Sequence, residues 1–229
     1  MDATEFRYGC RVVDDVRGRR RLVDAATLEF AAADGDERAE LNREQYSTVF
    51  RGAADYRRHV ETTGSTKGFT GPVWSQYVPF DFDDDSDPAQ ALDMARWFLS
   101  KLVDDFGVDL DGVVWFFSGG KGAHVLFPTA WTGAEPGADL PRKVKAFSAA
   151  LCERTGVHAD PAIYDLSRLF RLANSRHRSG FYKVPLPRDI PFLICPLDRL
   201  AERVRDLARE PILFEWPNAC GPVNDKLAA

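Results

Sequence analysis

Residues 113–128 read VVWFFSGGKGAHVLFP, two apolar strand-forming runs separated by a turn containing three glycines and a lysine. Few folds accept such a stretch. The runs 113–118 and 123–128 favour extended backbone, and the glycines between them let the chain reverse, so the spacing predicts a β-hairpin. Upstream, QYVPFDFD over 76–83 reads as an alternating strand, with Val78, Phe80 and Phe82 facing a core and Asp81 and Asp83 facing away from it. Between these strands, Asp87-Pro88 is a helix start, an acid at the N-cap followed by proline in the first turn. Leu92, Ala95, Leu99, Leu102 and Phe106 then keep helical spacing as far as Gly107.

The flanks are read more coarsely. Short strands are expected over 7–13 and 19–23, a helix over 37–60, a loop over 65–71, and helices over 141–155 and 196–208. The segment 158–187 reads as irregular and basic, with FYKVPL as a strand. No repeat or linker divides the chain. The expectation is a single α+β domain over 1–229, a mixed sheet with flanking helices, in which 76–190 form the core and about 1–70 a small N-terminal lobe.

Composition narrows the function classes. With 229 residues, 45% hydrophobic and 28% charged, the chain can bury a substantial core, and disorder, collagen and coiled coil are excluded. No apolar run is long enough for a membrane span. The acidic start, MDATEFRYGCRVVDD, predicts no secretory signal, hence a cytoplasmic protein without membrane partners. Cys10, Cys152, Cys195 and Cys220 lie too far apart for a zinc site and read as reduced thiols.

The net charge of −5 hides a strong asymmetry. Residues 81–111 carry ten acids (Asp81, Asp83, Asp84, Asp85, Asp87, Asp93, Asp104, Asp105, Asp109, Asp111) against Arg96 and Lys101, whereas 142–188 are dominated by Lys and Arg. Such a pairing suits a site that holds cations on one wall and phosphates on the other, or else two unrelated solvated surfaces.

Three patterns carry chemistry. Asp81 and Asp83, two apart on one strand, project side by side and repel unless a cation lies between them; hard oxygen ligands select Mg²⁺ or Mn²⁺. In Ser118-Gly-Gly-Lys121-Gly-Ala-His124, the glycines can turn backbone N–H groups toward an anion and Lys121 adds a charge. In HADPAIYDLSRLFRLANSRHRSGFYKVPL, residues 158–186, apolar side chains are woven between Asp160, Asp165, Arg168, Arg171, Ser175, His177 and Lys183, which a purely solvated loop does not need.

Taken in order, these motifs resemble the archaeo-eukaryotic primase superfamily, the primase small subunits and primase-polymerases, over residues 78–186. The resemblance implies an RRM-like catalytic core and template-directed nucleotidyl transfer with two Mg²⁺ or Mn²⁺ ions. Asp81, Asp83 and Asp160 would be catalytic metal ligands. Asp160 is placed there because the family's third acid lies eleven residues before the second arginine of its R-L-x-R-L-like run, here Arg171. The role of Asp165 stays open between the metals and a brace for Arg168. Ser118, Gly120, Lys121, Gly122, His124, Arg171 and His177 would hold the incoming nucleotide. Arg142, Lys143, Arg168, Arg176, Arg178, Lys183 and Arg188 are candidates for gripping nucleic-acid phosphates.

Implied partners are a single-stranded DNA template, a primer strand and ribo- or deoxyribonucleoside triphosphates, with a helicase, ligase or primase large subunit also possible. A repair-type end-joining polymerase and an inactive nucleic-acid-binding relative are alternatives within the superfamily. A D-x-D nucleotide-sugar glycosyltransferase is a remote one. The cysteines cannot supply the zinc-binding insertion common among small subunits.

Overall fold

The structure, a computed structural model, is described for residues 2–14, 20–24, 41–188, 194–212, 214–217 and 222–228. Its centre is the predicted hairpin. β6 (Tyr77–Asp83), β7 (Val114–Phe117) and β8 (Gly122–Pro128) form an antiparallel sheet with β10 (Val184–Pro185), in the order β10-β7-β8-β6. Val78, Phe80 and Phe82 are fully buried, as the alternation of 76–83 requires, and they pack with Ala123, Val125 and Phe127 of β8 in the main core.

A helix over Pro88–Phe106 covers that face. Asp87 caps it by accepting from the Ala89 N–H at 3.0 Å, and Gly107 ends it in the left-handed region at φ 66°. Phe98 meets Phe80 with ring centroids 4.7 Å apart. Further helices at Leu140–Thr155 and Leu197–Leu207 match the sequence expectation to within a residue at each end.

The N-terminal region folds as a second sheet. β1 (Tyr8–Val13) pairs with β2 (Arg21–Asp24) on one side and with β3 (Gln45–Thr48) and β4 (Arg51–Gly52) on the other; β5 (Val73–Trp74) and β9 (Leu169–Arg171) complete six strands. The expected helix over 37–60 is therefore corrected: its middle is β3 and β4, and the helix spans only α1 (Ala54–Thr63); residues 37–40 lie outside the described ones. Tyr46, Thr48, Val49 and Phe50 are β-branched or aromatic, and pairing with β1 and β9, distant in sequence, outweighs helical spacing. The α+β class with flanking helices holds, but every pairing among the described residues is antiparallel, in two sheets rather than one mixed sheet.

The expected lobe boundary near residue 70 does not coincide with a sheet boundary, because β9 comes from the basic segment and joins β3. Among the described residues no helix is long and apolar enough to cross a membrane. Cys10, Cys152 and Cys195 are free thiols, and Cys220 lies outside the described residues.

Candidate active site

The two sheets face each other across a cleft of about 220 Å³. One wall is the polar face of β6 and β8. Their register sets Asp81 opposite His124 and Asp83 opposite Gly122, so the D-x-D pair and the glycine-lysine turn meet because the strands are antiparallel neighbours. The other wall comes from β3 and β9, with Tyr46, Arg168, Leu169, Phe170 and Arg171, and His177 closes one end.

Asp81 is the best shielded of the acids. Burial raises its proton affinity, but His124, Lys183 and Arg168 outweigh this and hold its carboxyl below the usual range. Its Oδ1 lies 3.3 Å from His124 Nε2, close enough for electrostatic attraction but not aligned for a hydrogen bond, so this buried oxygen is orphaned. His124 is itself pushed down to about 4, by burial and then by Lys183, and is neutral at pH 7. Its ring lies against Phe170, centroids 4.3 Å apart. Asp83, nearer solvent, has its carboxyl raised by burial and by the charge of Asp81, against the pull of Lys121 3.3 Å away.

Asp160 reaches this group through its backbone: its N–H donates to the Asp81 carbonyl oxygen at 2.8 Å. Its carboxylate is already engaged. Oδ1 caps the 3-10 turn Pro161–Tyr164 through the Ala162 N–H at 2.8 Å, and Oδ2 lies 3.6 Å from the Arg168 guanidinium. Asp165 follows that turn, and its carbonyl oxygen accepts from the Arg168 N–H, so the side-chain partner of Arg168 is Asp160. Among the described residues no three His, Cys, Asp or Glu side chains stand ready around one point as metal ligands. Asp81 and Asp83, adjacent and with one oxygen orphaned, are nonetheless a donor set that suits a hard divalent cation.

The glycine turn differs from the sequence expectation. The Gly120 and Gly122 N–H groups donate to Ser118 Oγ, at 3.3 and 3.1 Å, instead of facing an anion. Ser118 therefore shapes the turn, and Lys121, Arg168 and Arg171 bring positive side chains to the cleft. Lys121 is half-exposed and also pairs with Asp85. Arg171 stacks on the Tyr46 ring at 4.7 Å, donates to its hydroxyl at 2.9 Å and lies 3.4 Å from Glu44. His177 packs against Gly120, where an added Cβ would come within 2.9 Å of the imidazole; burial and Arg171 lower its pKa to about 4.

Several basic candidates lie elsewhere. Lys183 is only 2% exposed; its Nζ donates to the Arg171 carbonyl at 2.8 Å and sits over the rings of Phe170 and Phe116, so it cannot grip a strand of nucleic acid from there. Arg188 is likewise structural, donating to the carbonyls of Leu110, Asp111 and Val113. Arg142 and Lys143 pair with Asp139 at the start of the 140–155 helix, outside the cleft lining. Arg176 donates to Gly180 and Asn42, while Arg178 is exposed beside His177. Sequence reasoning missed Tyr46, Glu44 and Phe170 as parts of the site; the strand-forming composition of QYSTVF was the available signal for the first of them.

No protein-family profile matches the chain, and a search of curated proteins finds no match. Among solved structures, the chain resembles the polymerase domain of Mycobacterium tuberculosis Ligase D in complex with DNA, at 16% identity and a TM-score of 0.44, over 90% of this chain and 85% of that one.

Proposed function

We propose that the chain is a nucleotidyltransferase of the primase-polymerase type, adding nucleotides to a primer strand under the direction of a DNA template. One observation carries the reading: the carboxylates of Asp81 and Asp83 on β6 and the guanidiniums of Arg168 and Arg171, at and beside β9, line a single cleft, with the backbone of a third acid fastened to the first. A cleft lined by both carboxylates and guanidiniums suits a ligand carrying both cations and phosphates.

In this reading Asp81 and Asp83 hold divalent cation, Mg²⁺ or Mn²⁺, joined by Asp160 once its carboxylate leaves Ala162 and Arg168. Bound there, the cations would activate the primer 3′-hydroxyl and neutralise charge on the pyrophosphate leaving group. The protein's own part is positioning and electrostatic neutralisation. Arg171, held over the Tyr46 ring and by Glu44, presents a fixed guanidinium to the triphosphate. Lys121 offers a mobile charge from the turn that Ser118 shapes, and His177 bounds the end of the cleft. Neutral His124 lies beside Asp81 and adds no charge of its own at pH 7.

The test is incorporation of labelled nucleotide with Mn²⁺ or Mg²⁺ on primed and unprimed single-stranded DNA, with ribo- and deoxyribonucleotides in separate reactions. The wild-type protein is expected to incorporate, and Asp83→Ala to lose at least 100-fold, roughly the scale of removing a preorganised charge-stabilising group. Equal incorporation by the variant overturns the metal assignment. Incorporation only on primed template identifies an extending, repair-type polymerase; incorporation on both identifies a primase.

A further inference from the structure

The three acids of the cleft differ in what neutralises them. Asp81 keeps a buried oxygen without a hydrogen bond, beside His124. Asp83 and Asp160 instead face permanent charges from the same chain: Lys121 Nζ lies 3.3 Å from Asp83 Oδ2, and the Arg168 guanidinium lies 3.6 Å from Asp160 Oδ2. Both basic side chains line the cleft, and both are about half exposed. Solvated pairs of this kind are weak and readily exchanged. A divalent cation seeking the same two carboxylates must displace these tethered charges, and the phosphates that would accept the displaced charges arrive with the nucleotide.

We propose that Lys121 and Arg168 are exchangeable counter-ions, pairing with Asp83 and Asp160 in the ligand-free cleft and passing to the nucleotide's phosphates when a divalent cation takes the carboxylates. The inference rests on the nucleotidyl-transfer reading and adds a coupling to it. Metal and nucleotide each bind poorly alone and improve one another, because each supplies the partner the other's arrival releases, and linkage makes the improvement reciprocal. Arg168 thereby serves Asp160 in the ligand-free cleft and the nucleotide's phosphates in the loaded one, rather than the nucleic-acid backbone.

The experiment is direct titration of Mn²⁺, read as the electron paramagnetic resonance signal of the free ion, with and without a non-hydrolysable deoxynucleoside triphosphate, after correction for Mn²⁺ held by free nucleotide. Wild type is compared with Lys121→Met, Arg168→Met and the charge-preserving Lys121→Arg. Lys101→Met is a control that removes an ammonium paired with Asp105 at 3.4 Å on the 88–106 helix. Without nucleotide, Lys121→Met and Arg168→Met should bind Mn²⁺ about fivefold more tightly than wild type, the scale set by removing a unit charge 3–4 Å from a solvated carboxylate. The improvement that nucleotide confers on wild type should shrink in these two by a similar factor, while Lys121→Arg and Lys101→Met match wild type. Unchanged or weaker nucleotide-free Mn²⁺ affinity in both Met variants, alongside normal incorporation by wild type, overturns the exchange and leaves nucleotidyl transfer standing. Absence of both Mn²⁺ binding and incorporation in wild type overturns the two together.

Discussion

A Cβ placed on Gly122 would stand 2.1 Å from Asp83 Oδ1 and 2.2 Å from the Phe82 carbonyl oxygen, because Gly122 faces Asp83 across the β6–β8 ladder. The backbone oxygen cannot swing aside, so Gly122→Ala should part the strands where the acids sit. Overpacking of this kind costs about 1–3 kcal/mol; a urea melt is expected to show that loss, and a variant as stable as wild type would contradict the register. Lys121→Ala, by contrast, removes an exposed side chain and should leave the melt unchanged. In steady-state kinetics it should raise KM for nucleotide with a smaller effect on kcat; a fall in kcat at constant KM would place Lys121 with the transition state instead.

The two cleft histidines set a pH dependence. His124 and His177 take up protons near 4 in the fold, driven down first by burial and then by Lys183 and Arg171 respectively, against 6.5 as the ordinary value. The unfolded chain therefore binds more protons between 6.5 and about 4, and stability should fall as pH drops through that window. Melting temperatures at pH 7, 6 and 5 should decline, and His124→Asn should flatten the decline. A protein that grows more stable toward pH 5 would rule this out. At this scale strand alternation put Asp81 and Asp83 side by side and His124 on the neighbouring strand, whereas Asp160 and His177 entered only through the family resemblance. The engagement of the glycine N–H groups by Ser118 was not legible, because a hydroxyl's choice between backbone and ligand depends on the turn's three-dimensional closure.

The turn Pro161–Tyr164 is short, yet it decides where the third acid stands. Asp160 caps it, and Tyr164 fastens it from inside, its hydroxyl donating to the Pro79 carbonyl and meeting Ser148 at 2.8 Å. Cap and charge can be separated by substitution. Asn is as good an N-cap as Asp, so Asp160→Asn should keep wild-type stability, whereas Asp160→Ala should lose about 1 kcal/mol in a denaturant melt. Both should lose nucleotide incorporation if the carboxylate serves the cations. Full activity in Asp160→Asn would confine Asp160 to capping. The 88–106 helix was readable from its cap, period and terminal glycine because all three are local. The 37–60 segment was misread because its helical spacing competed with strand-forming side chains, and the winner was settled by β1 and β9, remote in sequence.

The molecule as a whole is organised by a crossing of sequence regions. β9, from the basic segment, pairs with β3 from the N-terminal region, with Tyr46 opposite Arg171. This makes the N-terminal sheet the second wall of the cleft. A chain beginning at residue 72 would lose β1 to β4 and leave β9 without its neighbour and Arg171 without Tyr46 and Glu44. Such a truncation should fail to melt cooperatively or fail to bind nucleoside triphosphate by calorimetry; retention of both properties would show that the cleft forms without the N-terminal strands.

Alternation, caps and glycine placement are properties of neighbouring residues, and they suffice to place the hairpin, the acidic strand beside it and the covering helix. Which cations face the cleft was decided only by the tertiary structure. Arg171 and Lys183 look alike as basic residues among hydrophobics, yet one lies along the wall of an open cleft and the other is sealed between Phe116 and Phe170. Exposure is fixed by how the two sheets close over each other, a pairing between strands more than a hundred residues apart that no local pattern encodes.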